Sequence, residues 1–165
     1  MVELLLQHEQ RFRNVSQISL LLALSRALQE ASLVGYEQIV KILIQQGADL
    51  NAQGGAYDTA LQAAASSGHG GIVRLLLDAG ANINAKGGRY GTALLAATIE
   101  QQYGKTALHY ATETRRSDIV RVFIQANADR TIHDSEGRTA LHYAQFSGLD
   151  VGSKSRLEVL AYLQQ

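Results

Sequence analysis

The chain has 165 residues, 46% of them hydrophobic, enough for one domain with a sizeable core and too apolar for a disordered segment. Fifteen basic and fifteen acidic residues cancel, so no net field draws it to nucleic acid or to a membrane surface. It has no cysteine, which excludes disulfides, thiolate metal sites and a cysteine nucleophile, and it is compatible with a reducing compartment.

Val2-Glu3-Leu4-Leu5-Leu6-Gln7 repeats the pattern of Val40-Lys41-Ile42-Leu43-Ile44-Gln45, so the sequence opens inside a helix of a repeat. This start lacks a basic region and a small-residue cleavage site and makes a poor signal peptide. Arg11 to Gln17 reads as a polar connector, and residues 1–17 as a partial repeat. Ile18 to Val34 is apolar enough for a helix; its longest apolar run, Leu20 to Leu24, is too short to span a bilayer. Ala27 to Ala31 aligns with Ala60 to Ala64, with Arg26 where the later units carry Thr.

Thr-Ala-Leu then recurs at Thr59, Thr92, Thr106 and Thr139, at intervals of 33, 14 and 33 residues. A fixed period near 33 marks a stacked-repeat architecture. Thr59 with Gln62 has the spacing of a capping box, which satisfies two orphan amides at a helix start. Gly68 suits a helix end, and Ile72, Val73, Leu76 and Leu77 form the apolar stripe of the next helix. Gly47 and Gly80 end the second helices, with Asn127 in the equivalent place. The 14-residue interval predicts a truncated unit over 87–102, lacking its second helix and leaving the stack locally one helix short. The remaining units are read as 18–53, 54–86, 103–133 and 134–165, the last with about six extra residues near Leu149 to Lys154.

The turn, Thr-x-Leu, Gly-His and Gly-Ala-Asp/Asn-x-Asn features recur together, and the chain resembles the ankyrin-repeat family. The Gly87-Gly88-Arg89-Tyr90-Gly91-Thr92-Ala93-Leu94 variant looks like the arrays of fungal-type members. The resemblance implies an all-α solenoid of antiparallel helix pairs with short β-hairpin-like loops. It also implies non-catalytic binding of a protein partner through hairpin tips and the concave face of the first helices. A second reading is a sensing or regulatory array belonging to a larger multidomain receptor or enzyme.

Gly104-Lys105-Thr106 lacks the upstream glycine and strand of a phosphate loop, and the same slot reads Gly137-Arg138-Thr139 one unit later. His109 and His142 are one repeat apart, about 8–10 Å, too far to share a zinc ion. The resemblance gives both the role of tying neighbouring loops together; His69 fits the Gly-His slot between helices, and His8 and His133 have no partner visible in sequence. No Gly-x-Ser-x-Gly turn or other catalytic set is present, and no cofactor or metal is expected.

The hairpin tips expected to meet a partner are Gln53 to Tyr57, Lys86 to Tyr90 and His133 to Glu136. Concave positions include Ser66, Glu113, Tyr110, Tyr143 and Phe146. Tyr110 and Tyr143 are expected to be exposed anchors, with Phe146 completing an aromatic patch, because the same slot holds Glu30 and Ala63 in earlier units. Phe146 has a competing expectation, that the loop at Leu149 to Lys154 folds over it. Lys86, Arg89 and Glu136 are the charged tip candidates. The expected protein is an intracellular monomer, cytoplasmic before nuclear, that binds no nucleic acid or membrane.

Overall fold

A computed structural model describes residues 2–54, 59–86, 104–146 and 154–164, with side chains from residue 17 onward. Eight helices lie among the described residues, and no strand does. They are α1 (Val2–Val34), α2 (Glu37–Gln45), α3 (Ala60–Ser67), α4 (Gly70–Asp78), α5 (Ala107–Glu113), α6 (Ser117–Gln125), α7 (Ala140–Phe146) and α8 (Lys154–Leu163).

The helices pair as α1–α2, α3–α4, α5–α6 and α7–α8, and the pairs stack in that order. First helices form one row and second helices another, so each pair touches only its neighbours, as in a solenoid. One apolar core threads the stack. Its repeated positions are Leu28, Leu61 and Leu108 on the first helices, and Val40, Val73 and Val120 on the second.

Local chemistry explains the boundaries. At α3 the capping box forms: the Thr59 hydroxyl accepts from the Gln62 amide at 3.2 Å, and Gln62 Oε1 accepts from the Thr59 amide at 3.0 Å. Gly35 and Gly68 turn the chain between paired helices with φ of +95° and +86°. At both, a side chain of the next layer sits where a Cβ would go. An added methyl would sit 2.6 Å from the His69 ring at Gly35 and 2.5 Å from the Arg116 guanidinium at Gly68. Asn127, with φ of +58°, fills the left-handed turn that glycines occupy after α2 and α4.

Two expectations give way. The segment Arg11 to Gln17, read as a connector, lies within α1, which runs unbroken from Val2 to Val34. No glycine or proline interrupts those 33 residues, so nothing in the local sequence forces a stop. The second is the stack one helix short after Gln102: α3 packs on α5 and α4 packs on α6 directly. The Thr106 unit supplies its own second helix, and Ile119, Val120 and Phe123 close against the core. Thr92 and the truncated unit assigned to 87–102 lie outside the described residues.

Candidate interaction face

Three ladders of hydrogen bonds join the layers, and they place the candidate residues. The first runs through the slot three residues after the helix cap. Gln29 Nε2 donates to the Ala52 carbonyl at 2.8 Å, and Gln62 Nε2 donates to the Lys105 carbonyl at 2.7 Å. His109 fills the same slot. Its Nδ1 accepts from the Thr106 amide at 3.1 Å, so that nitrogen is unprotonated and Nε2–H donates to the Arg138 carbonyl at 3.2 Å. Burial holds the His109 pKa below the usual histidine range, outweighing the Arg138 carbonyl and the Asp134 charge, which favour protonation. His109 thus joins the Thr106 turn to the Arg138 carbonyl of the next layer.

His142 does not do so among the described residues. It lies in the last described layer, its ring exposed and 4.6 Å from that of Phe146. Thr139 keeps its place at the start of α7, where its hydroxyl lies 3.4 Å from the His142 amide.

The second ladder links the loops after the second helices. The amides of Asp49, Asn82 and Asp129 donate to Ser25 Oγ, Asn51 Oδ1 and Asn84 Oδ1, at 3.0, 2.7 and 2.8 Å. The third crosses the turns within each pair. His69 Nε2 lies 3.1 Å from the Leu33 carbonyl, Arg116 Nη2 reaches the Ser67 carbonyl at 3.4 Å, and Ser155 Oγ donates to the Arg115 carbonyl at 2.7 Å. Gly47 and Gly80 keep their expected left-handed turns, with φ of +80° and +93°.

The tyrosine slot reverses the expectation. Tyr110 and Tyr143 are 3% and 8% exposed, so neither is a surface anchor. Neighbouring chains of charge roof them. Lys105 Nζ lies 4.6 Å from the centroid of Tyr143 and 5.5 Å from that of Tyr110, and binds both Glu113 oxygens at 3.0 Å. The Arg138 guanidinium sits 4.9 Å from the Tyr143 centroid, so two cations meet one ring. The slot tolerates Glu30 only in the first layer, where that side chain is exposed; Ala63 is buried like the tyrosines.

Asp134 organises this cluster and was not singled out from sequence. It is buried and accepts from the Tyr143 hydroxyl at 2.6 Å, the Arg138 Nε at 3.0 Å, and the amides of Glu136 and Arg138 at 2.9 Å. Burial alone would raise its pKa, but the Tyr143 hydroxyl and the Arg138 and Glu136 donors hold it at about 2. Burial and the Asp134 hydrogen bond together push the Tyr143 hydroxyl well above the usual tyrosine range, so it stays protonated as the donor. The sequence signal was present: Asp134 opens Asp-x-x-Gly-x-Thr, an acidic side chain placed to bond turn amides two and four residues on.

What faces outward is a row of equivalent positions, Ser66, Glu113 and Phe146. Ser66 and Glu113 are partly exposed, and Phe146 is 71% exposed. Glu136 and Lys86 are exposed at the tips, with Glu136 paired to Arg138 at 2.6 Å. Arg89, Tyr57 and Leu149 to Ser153 lie outside the described residues. No group of three His, Asp or Glu side chains among the described residues is placed to hold a metal ion. Among the described residues no helix is long and apolar enough to cross a membrane.

Comparison with known families agrees with the stacking. A model of ankyrin repeats in three copies matches residues 1–87, 28–104 and 89–164. The chain belongs to the ankyrin-repeat family. No curated protein matches it. Ankyrin repeats are in general protein-interaction modules without catalysis of their own, and the polar clusters of this array are structural ties between layers.

Proposed function

We propose that this ankyrin array binds a protein partner across its last two described layers, with Phe146 as the apolar anchor and Glu113 and Glu136 as the flanking polar contacts. The exposure of Phe146 carries the reading. The fold covers Tyr110, Tyr143 and Phe123; of the two aromatic residues it leaves exposed among the described residues, Tyr36 at 56% and Phe146 at 71%, Phe146 is the more exposed and lies beside the exposed His142 ring. A large side chain with few rotamers buries much area at low entropic cost, the usual character of an interface hot spot. The two carboxylates already hold Lys105 and Arg138, so a partner meets neutralised pairs, not bare charge. Lys86 at the neighbouring tip, with Ser66, extends the same surface, and Arg89 is a further candidate by its place in the sequence.

The test is affinity capture from the source cell with the purified chain, followed by titration of the captured partner. Phe146→Ala should leave melting within a degree or two and weaken the partner by about 2 kcal/mol, some thirtyfold. Unchanged affinity for that variant would move the binding surface to the tips at Lys86 and Arg89.

A further inference from the structure

The first layer presents a face that the other layers bury. Ile39 on α2 is 45% exposed, whereas its counterparts Ile72 on α4 and Ile119 on α6, each on a helix packed against the second helix before it, are 2% and 0% exposed. Ala27 on α1 is exposed where Ala60, Ala107 and Ala140 are buried. Ten large apolar side chains are exposed among the described residues, and eight of them lie between Ile18 and Ile42. Such clustering in one layer is a patch, not the scatter of single apolar residues found on any surface. On α1 the exposed positions Leu20, Ala23, Ala27, Glu30 and Val34 follow alternating spacings of three and four, the seam by which one helix packs along another. On α2, Ile39 and Ile42 stand about one turn apart, and Tyr36 and Ile39 line an open apolar cleft of about 360 Å³.

We propose that this face is the interface of a two-fold dimer, in which α1 of each copy packs on α2 of the other. The face complements itself in size. α1 presents the small Ala23 and Ala27 in the middle of its seam, and α2 presents the large Ile39 and Ile42. It also complements itself in charge. α1 ends at Val34 and α2 begins at Glu37, so Glu30 and Lys41, each four residues back from the Gly35 turn, lie at one level along the paired helices. A two-fold axis running along the helices, between α1 and α2, keeps that level. It brings Glu30 of each copy opposite Lys41 of the other, and sets α1 antiparallel to the α2 it meets. Lys41 is held by Glu37 at 2.9 Å yet keeps further ammonium donors for a second carboxylate, and its side chain is still 39% exposed. The charged residues from Arg26 to Lys41 are two cations and two anions, so the face has no net sign that would select an acidic or a basic partner. A closed two-fold also leaves the layer carrying Phe146 free, whereas stacking that layer on the first layer of another copy would run on as a filament.

Mass in solution tests this. Sedimentation equilibrium of the purified chain should return twice 17.9 kDa at tens of micromolar, and a chain that keeps the single mass there would overturn the proposal. Ile39→Lys, at an already exposed position, should raise the dimer dissociation constant at least about tenfold while the far-ultraviolet circular dichroism is unchanged. Glu30→Lys and Lys41→Glu should each weaken the dimer, because each sets like charges opposite one another, and the two changes together should restore it. Single variants at full affinity, or a double variant without recovery, would overturn the pairing of α1 with α2. Phe146→Ala should leave the dimer intact; its loss in that variant would place the contact at the other end of the array. A mass that climbs past two copies with concentration would overturn the closed dimer in favour of head-to-tail stacking.

Discussion

At the residue scale, one slot shows how two side chains solve the same problem. Gln62 and His109 each accept from the threonine amide at their own helix start and donate to a carbonyl of the next layer. Only the histidine titrates. Its folded pKa is lowered, so the neutral form contributes stability that is complete above the unfolded value of about 6.5. That stability is lost as pH falls from there through the lower folded pKa. His109→Gln should fold, keep both hydrogen bonds, and flatten the stability curve below about pH 6.5 in urea melts; an unchanged acid limb would mean that another group causes it. Tyr143→Phe tests the neighbouring cluster. It removes one donor from Asp134 and should cost about 1–3 kcal/mol, as for a hydrogen bond to a charged group. The carboxyl is depressed to about 2, so its contribution is present above the usual carboxylate range and fades as pH falls through about 2. With the hydroxyl gone, the Asp134 resonance should titrate at higher pH, which carbon-detected NMR would follow directly.

At the element scale, the stacking pairs carry the stability. Leu76 is fully buried on α4, which packs against α2, α3 and α6, so Leu76→Ala should cost roughly 2–5 kcal/mol and weaken the layers on both sides. A loss under half a kcal/mol in denaturant melts would show that the neighbouring layers collapse into the space. The helix pairs from Glu37 onward were legible because caps, αL turns and apolar stripes recur together: Thr59 with Gln62, Gly68, then Ile72, Val73 and Leu76. The tyrosine slot was not. Counting along a helix puts Tyr110 and Tyr143 opposite the stripe, but the cover there comes from Lys105, Arg138 and Asp134, which lie before their helices and close over the rings only in the folded stack. A lysine read as a turn residue became a buried ion-pair partner, because Glu113 waits two turns further along α5. The end of α1 was illegible for a different reason. Residues 8–17 contain neither a breaker nor an apolar stripe, so the local sequence is compatible with either a helix or a link.

At the scale of the whole molecule, two nearly identical segments compete for the place beside α3. Thr92-Ala93-Leu94-Leu95-Ala96-Ala97-Thr98 matches Thr106-Ala107-Leu108-His109-Tyr110-Ala111-Thr112 at five of seven positions, and it has the regular 33-residue spacing from Thr59. Yet the Thr106 segment forms α5 and packs on α3. The second helix decides between them. Counting from Thr59, the buried residues of α4 come 13, 14 and 17 places on, at Ile72, Val73 and Leu76. The same count from Thr106 gives Ile119, Val120 and Phe123; from Thr92 it gives Lys105, Thr106 and His109, which cannot form an apolar stripe. A first helix without a usable second one leaves its neighbour's core open, so the later copy wins despite the longer connection. The connection itself costs little, since halving a loop's length changes closure entropy by only about 0.6 kcal/mol. Deleting residues 89–102 restores the 33-residue spacing between Thr59 and Thr106 and removes the competing segment. The shortened chain should melt within about 1 kcal/mol of the parent, on the stable side. It should also refold faster, because one plausible but unproductive pairing is gone. A loss above about 2–3 kcal/mol in equilibrium urea melts would instead show that the deleted residues pack against the stack and supply part of its core.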